Sequence, residues 1–188
     1  MWCKLVLMND PVELLFAQLE SHSRETAMES SLALACLLER ALWPGRYEST
    51  HQLVLPPELQ KLRLEAGAEV DTFILRLCET LASPTVSLDA RLTISSVLGK
   101  TGRALYVKAI LSLLEQECES LSDENLYGLL ASIPSGFLAS QPRAQLLALV
   151  EEYHTVSVLQ RFSSRGSPRL SDSLFAFQSC LSRLQTGC

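Results

Sequence analysis

The sequence predicts an all-α protein, because its apolar patterns have the helical period and no stretch shows a convincing strand pattern. In the segment Thr101 to Leu121, apolar residues cover nearly the whole circumference of a helix. One stripe at spacing i, i+3, i+4, i+7 is formed by Val107, Ile110, Leu111 and Leu114, and its flanks hold Tyr106, Ala109 and Leu113. A helix that is apolar around most of its circumference must be covered on more than one side. We therefore expect the other leucine-rich segments to pack around it in a layered helical protein.

The composition supports the same class. Apolar residues make up 47% of the 188 residues, and Gly and Pro number only 8 each, which excludes a disordered chain. A chain of this length buries roughly 70% of the surface that its unfolded form exposes, so we expect a single all-helical, repeat-like domain over residues 1–188. The net charge of -5 is spread along the chain and offers no basic face, so a direct nucleic-acid partner is not favoured.

The sequence also bears on the compartment. No apolar run approaches the roughly 18 to 20 residues that cross a bilayer, and Met1 to Met8 is too short for a signal peptide. We expect an intracellular, soluble protein with no membrane partner. Of the 6 cysteines, most lie among leucines in predicted helices, so reduced thiols are favoured over disulfides. The sequence has no C-x-x-C motif and therefore does not predict a zinc site.

The first half of the chain predicts two helical hairpins. A helix capped by Asp10 pairs with a longer one, Arg24 to Trp43, which ends at Pro44. A short helix that begins at Pro56 pairs with the clearest amphipathic helix of the chain, which ends before Pro84. The residues expected to face the core are Val12, Leu15, Phe16 and Leu19 in the helix capped by Asp10, and Ala27, Leu34, Leu37, Leu38 and Leu42 in the helix Arg24 to Trp43. In the helix that ends before Pro84 they are Val70, Phe73, Ile74, Leu77 and Leu81.

The second half predicts two further pairs and a last helix. A helix that starts at Ser87 or Asp89 and ends at Gly99 pairs with the central helix. A helix capped by Ser122 pairs with one running from Ala144 to about Thr155, and another pair is suggested near Val156. Residues 163–170 predict a mobile loop before the last helix. The residues expected to face the core are Leu92, Val97 and Leu98 in the helix that ends at Gly99 and Leu126, Leu129 and Leu130 in the helix capped by Ser122. They are Leu146, Leu147, Val150 and Tyr153 in the helix that starts at Ala144, and Leu174, Phe177, Leu181 and Leu184 in the last helix.

These pairs begin at intervals of about 30 to 50 residues, the size of armadillo and HEAT repeats. Through Val70 to Leu81, Ala104 to Leu114 and Gln145 to Tyr153, the chain resembles the degenerate armadillo-like scaffolds over most of its length. Over Asp10 to Pro44 it is similar to the meiosis inhibitor proteins, large armadillo-like proteins implicated in starting meiotic recombination. The resemblance implies an α-solenoid segment within a meiotic assembly in the nucleus. If the meiotic resemblance does not hold, we expect the protein in the cytoplasm. A compact helical bundle is the alternative fold.

No motif predicts an enzyme. Gly99-Lys100-Thr101 matches only the end of a phosphate-binding loop, since Ile94 stands where the motif has its first glycine, and a helix-to-helix turn is favoured. Glu48 with His51, and Glu151 with His154, have the carboxylate–histidine spacing of di-iron bundles. The first pair lies in a polar connection, and the histidine of the second is placed to interact with helix-end carbonyls. The three histidines, His22, His51 and His154, lie at helix ends or in loops without a nucleophile motif.

We therefore expect a non-enzymatic scaffold that binds other proteins and has no catalytic, cofactor-binding or metal-binding residues and no cofactor. The candidate partner contacts are Trp2, Leu5, Val6 and Trp43, although core packing also explains such aromatic residues. Ser167 is a candidate phosphosite among loop arginines, the alternative being a solvated loop. The apolar ends of the chain predict self-association as exposed repeat edges. The alternative function is a compact bundle that regulates an enzyme or binds a small apolar ligand.

Overall fold

The computed structural model of the chain describes residues 10–43, 62, 64, 67–101, 104–117, 119–131, 143–153 and 155–164. These residues contain eight α-helices and one short 3-10 helix, Gly99–Thr101, and no β-strand. The α-helices are α1 Pro11–Leu19, α2 Arg24–Leu42, α3 Ala68–Ala82, α4 Leu88–Leu98, α5 Ala104–Gln116, α6 Asp123–Ala131, α7 Arg143–Glu152 and α8 Thr155–Ser163. The predicted all-α class is confirmed. The predicted helices at the chain ends and after Pro56 lie outside the described residues or almost entirely so.

The chain divides into two compact units, Met1–Val97 and Leu98–Cys188. The first unit holds α1, α2, α3 and all but the last residue of α4, and the second holds the 3-10 helix and α5 to α8. The prediction of one continuous repeat-like domain over the whole chain stays a prediction. Nowhere in the described part of the chain is a helix long and apolar enough to span a bilayer.

The first two helices begin at side-chain caps. The Asp10 carboxylate accepts a hydrogen bond from the backbone N–H of Val12 at 2.9 Å, and the Ser23 hydroxyl accepts one from Thr26 at 3.3 Å. Each bond satisfies a backbone donor that the first helical turn leaves without an intrahelical partner. The helices α1 and α2 then pack against each other, which confirms the first predicted pair.

The middle of α2 is buried on every side. The six consecutive residues 33–38 are all buried, and six residues cover the full circumference of a helix because each turns the chain by about 100°. Two hydroxyls are buried beside them. Ser30 donates to the side-chain oxygen of Gln18 at 2.9 Å, and Ser31 donates to the Met28 carbonyl at 2.8 Å, so both are satisfied. Leu42, which the sequence places inward, is only half-buried.

The amphipathic helix α3 packs against α2 through the predicted stripe, which is buried throughout. It begins after Gly67, whose φ of 95° lies in the region that favours glycine. In α4 the predicted face is partly wrong, because Leu92 is half-buried and the buried residues before Val97 are Ala90, Arg91, Ile94 and Ser95. Ser95 donates to the Leu92 carbonyl at 2.7 Å, so its buried hydroxyl is satisfied without water.

The helix α5 is the best-covered helix of the second unit. All seven residues of its predicted stripe and flanks are buried, so its apolar face covers about 200° of the circumference, and α7 and α8 pack on it. The predicted stripe of α6 is also buried. The next helix is predicted to end at about Thr155, with another pair beginning near Val156, and the structure has a boundary within a few residues of that position. The chain breaks after Glu152 and starts the separate helix α8, which buries Val158, Leu159 and Phe162.

Candidate functional site

Most of the residues that the sequence singles out for partner contact or regulation lie outside the described part of the chain, namely Trp2, Leu5, Val6 and Ser167. Trp43 is described. It is the C-terminal cap of α2, half-buried, and its backbone N–H donates to the Glu39 carbonyl at 2.9 Å. Of the predicted loop 163–170, Ser163 is the last residue of α8 and Ser164 forms a turn. The partner-contact role of Trp43 therefore stays a prediction.

The candidate chemical motifs resolve into local structure where they are described. Gly99–Thr101 forms the 3-10 helix after α4, and the Thr101 hydroxyl donates to the Leu98 carbonyl at 2.7 Å. His22 is exposed, whereas His51 and His154 lie outside the described residues. In the described ranges, no three His, Cys, Asp or Glu side chains are grouped so that they could hold a metal ion.

The first unit contains a feature that the sequence does not predict, an open cleft of about 410 Å³ bordered by α1, α3 and the turn after α3. Its apolar surface comes from the buried rings and methyl groups of Phe16 and Val86 and from Ala17. Three carboxylates, Glu13, Glu20 and Glu79, and the single guanidinium of Arg76 also line it. We call this feature the α1–α3 cleft.

Arg76 connects the two helical walls of the cleft. Its Nη2 donates to Oε2 of Glu13 at 2.6 Å, its Nη1 donates to Oε1 of the same carboxylate, and its guanidinium carbon lies 3.9 Å from the centroid of the Phe16 ring. The ring of Phe16 meets that of Phe73 edge-on, with 5.6 Å between centroids. A two-bond carboxylate pair and an aromatic face are both favourable surroundings for a guanidinium. The charge of Arg76 is therefore already matched within the chain.

The same contact sets the acidity of Glu13. Hydrogen bonding from Arg76 lowers the pKa of the Glu13 carboxyl, the loss of some neighbouring water opposes the shift, and the positive charge of Arg76 lowers the pKa further. Glu13 is therefore anionic over a wider pH range than an ordinary glutamate. At neutral pH its carboxylate is therefore charged and paired with Arg76.

Glu20 and Glu79 differ from Glu13, because neither forms an ion pair with any described residue. An oxygen of Glu20 accepts a hydrogen bond from the Thr85 hydroxyl at 3.1 Å, and that hydroxyl lies 2.8 Å from the hydroxyl of Ser83. Both glutamates are exposed. The cleft thus presents two carboxylates whose charge no cation in the described residues neutralises.

The thiol of Cys78 in α3 is protonated at neutral pH. This thiol is buried, and burial, aided by the negative charge of Glu79, raises its pKa to about 12. A thiol with such a pKa stays protonated at neutral pH and is a poor nucleophile. In the second unit, burial is the main cause that raises the pKa of Tyr153, and the carboxylates of Glu152 and Glu115 add to it, so its phenol also stays protonated.

Comparison of the chain with protein-family models, curated proteins and solved structures found no match. The armadillo-like and meiotic resemblances therefore stay predictions. The cleft itself could not have been found from a local pattern, because Glu13 and Arg76 are 63 positions apart and each occupies an ordinary polar position of an amphipathic helix. The one local signal was Phe16, predicted to face inward and found in the cleft wall.

Proposed function

We propose that the chain is a non-enzymatic protein-interaction module that binds a partner in the α1–α3 cleft. The observation that carries the proposal is the composition of the cleft. It combines an apolar surface with charged side chains at its rim, which is the anatomy of protein interfaces. The charged rim disfavours the alternative of a small apolar ligand, which requires a mostly apolar pocket.

We further propose that the helices belong to a stacked helical-repeat array of the armadillo or HEAT type. Support comes from the spacing of the helix pairs and from the contacts that bury α2 and α5 against neighbouring helices, since repeat arrays bury their apolar faces only against neighbours. The similarity of residues 10–44 to meiosis inhibitor protein 1 is the reason to propose an assembly acting in meiotic recombination, with a nuclear location. Self-association through the chain ends belongs to the same proposal.

The experiment is a comparison of partner sets by affinity purification and mass spectrometry of the full tagged chain. Ala17→Trp places a large side chain in the cleft without changing its charge, because Ala17 is exposed and lines it. Ala148→Trp is the matched control, since Ala148 is an exposed alanine of α7 in the other unit. We expect a set of partners bound by the wild type and Ala148→Trp and lost from Ala17→Trp. The same partners with all three chains would contradict the proposed binding site.

A further inference from the structure

We propose that the α1–α3 cleft binds a lysine- or arginine-bearing segment of a partner protein, with Glu20 and Glu79 as its anionic contacts. This inference rests on the proposed function and adds the chemistry of the occupant. It starts from the imbalance of charge in the cleft, where Arg76 matches Glu13 and leaves the other two carboxylates without a cation.

The charge of the surrounding unit favours the same occupant. Over the whole sequence of the first unit, 13 Asp and Glu residues outnumber 8 Lys and Arg residues, which gives a net charge of -5. An acidic surface raises the rate at which cationic segments meet it and repels acidic ones. An acidic partner segment in the cleft would face three carboxylates. Those carboxylates would lose part of their hydration without gaining a positive charge from the partner.

The shape and lining of the cleft suit a long cationic side chain. Lysine and arginine have an apolar stem that packs on apolar surface and a charged head that stays at the rim. In this cleft the exposed methyl group of Ala17 is available to the stem, and Glu20 and Glu79 are available to the head. Arg76 shows the same chemistry within the chain, because its guanidinium lies over Phe16 while a carboxylate binds it.

The binding test uses the full chain and fluorescence anisotropy of two labelled peptides. One is a repeating Lys-Ala-Leu peptide, and the other replaces every lysine by glutamate. We expect the lysine peptide to bind, with an affinity that falls as salt is added, and the glutamate peptide not to bind. Failure of the lysine peptide to bind would overturn the inference. Spermidine is the third probe, and binding of spermidine as tight as that of the peptide would also overturn it, since a free polyamine would then suffice.

Matched charge variants locate the contact. Glu20→Gln with Glu79→Gln removes the two uncompensated carboxylates and keeps an oxygen that can accept the hydrogen bond from Thr85. Glu25→Gln with Glu29→Gln removes the same charge from exposed positions of α2 that do not line the cleft. We expect the cleft double variant to weaken binding about fivefold or more and the control double variant less than about twofold. Equal weakening by both would assign binding to the general acidic field and overturn the proposed contact.

Failure of this inference is distinguishable from failure of the proposed function. If Ala17→Trp loses a partner while the lysine peptide does not bind, the cleft is an interaction site for a different chemistry, and only the inference falls. If Ala17→Trp loses no partner and the cleft charge variants bind the lysine peptide as the wild type does, both fall. The folded state of every variant is checked by circular dichroism, so a loss of binding is attributed to the cleft only in folded chains.

Discussion

Leu77 lies on the packed face of α3 with 1% of its surface exposed, and Leu77→Ala tests whether that face holds the first unit together. Burying a leucine side chain stabilises the folded state by roughly 1.5 to 3 kcal/mol relative to leaving it exposed. Truncation in a packed site also leaves a cavity, and the sum is about 2 to 5 kcal/mol. That loss is a large part of the roughly 5 to 15 kcal/mol by which domains are usually stable.

Leu75→Ala is the matched control, because it removes the same atoms from the same helix at a position that is 41% exposed. The atoms removed there lie at the surface, so no closed cavity forms, and the higher helix propensity of alanine offsets part of the lost burial. We expect a loss of about 1 kcal/mol or less. The two variants therefore separate the effect of packing from the effect of composition.

The assay is urea unfolding of the full chain followed by far-ultraviolet circular dichroism, with stability obtained by linear extrapolation. A chain with two compact units can unfold in two steps, so the comparison uses the transition that Leu77→Ala shifts. A Leu77→Ala midpoint equal to that of the wild type, or a larger loss for Leu75→Ala, would refute the packing of α3.

Three further predictions test single contacts. Asp10→Ala removes the cap bond to Val12 and should cost about 1 kcal/mol in urea unfolding, whereas Asp10→Asn keeps an acceptor and should cost much less. Arg76→Met should return the lowered pKa of Glu13 to its ordinary range in an NMR titration. The stability that this pair contributes is present above the unfolded-state pKa and is lost as pH falls through the folded-state pKa. The Cys78 thiol should resist iodoacetamide in the folded chain at neutral pH and react after unfolding.

The raised pKa of the Cys78 thiol predicts how stability changes at alkaline pH. Its pKa is raised from 9.0 to about 12, so the unfolded thiol ionises first, and the stability that Cys78 contributes is full below pH 9 and is lost as pH rises toward 12. Cys78→Ala should remove this part of the alkaline loss. Rapid alkylation of Cys78 in the folded chain would contradict the burial of its thiol. A Glu13 pKa unchanged by Arg76→Met would contradict the ion pair between Glu13 and Arg76.

The helical class and the packed faces of α3 and α5 could be predicted from the sequence, because their apolar residues repeat with the helical period. The burial of Ser30 and Arg91 could not, since a polar residue is buried only when tertiary contacts satisfy or accommodate it. The break before Thr155 was predicted only approximately, because no Gly or Pro marks it. The cleft was missed because it joins residues far apart in the chain.

The complete enclosure of the middle of α2 determines how the first unit opens. A backbone amide exchanges its hydrogen with solvent only when its hydrogen bond breaks and water reaches it. The amides of residues 33–38 have helices packed over them, including α1 and α3, so fraying of one exposed face does not reach them. Their exchange therefore requires separation of whole helices, and they should be the slowest-exchanging amides of the first unit. The outward face of α1, which borders the cleft, should exchange earlier and thus remain free to adjust to a partner while the centre of α2 stays closed.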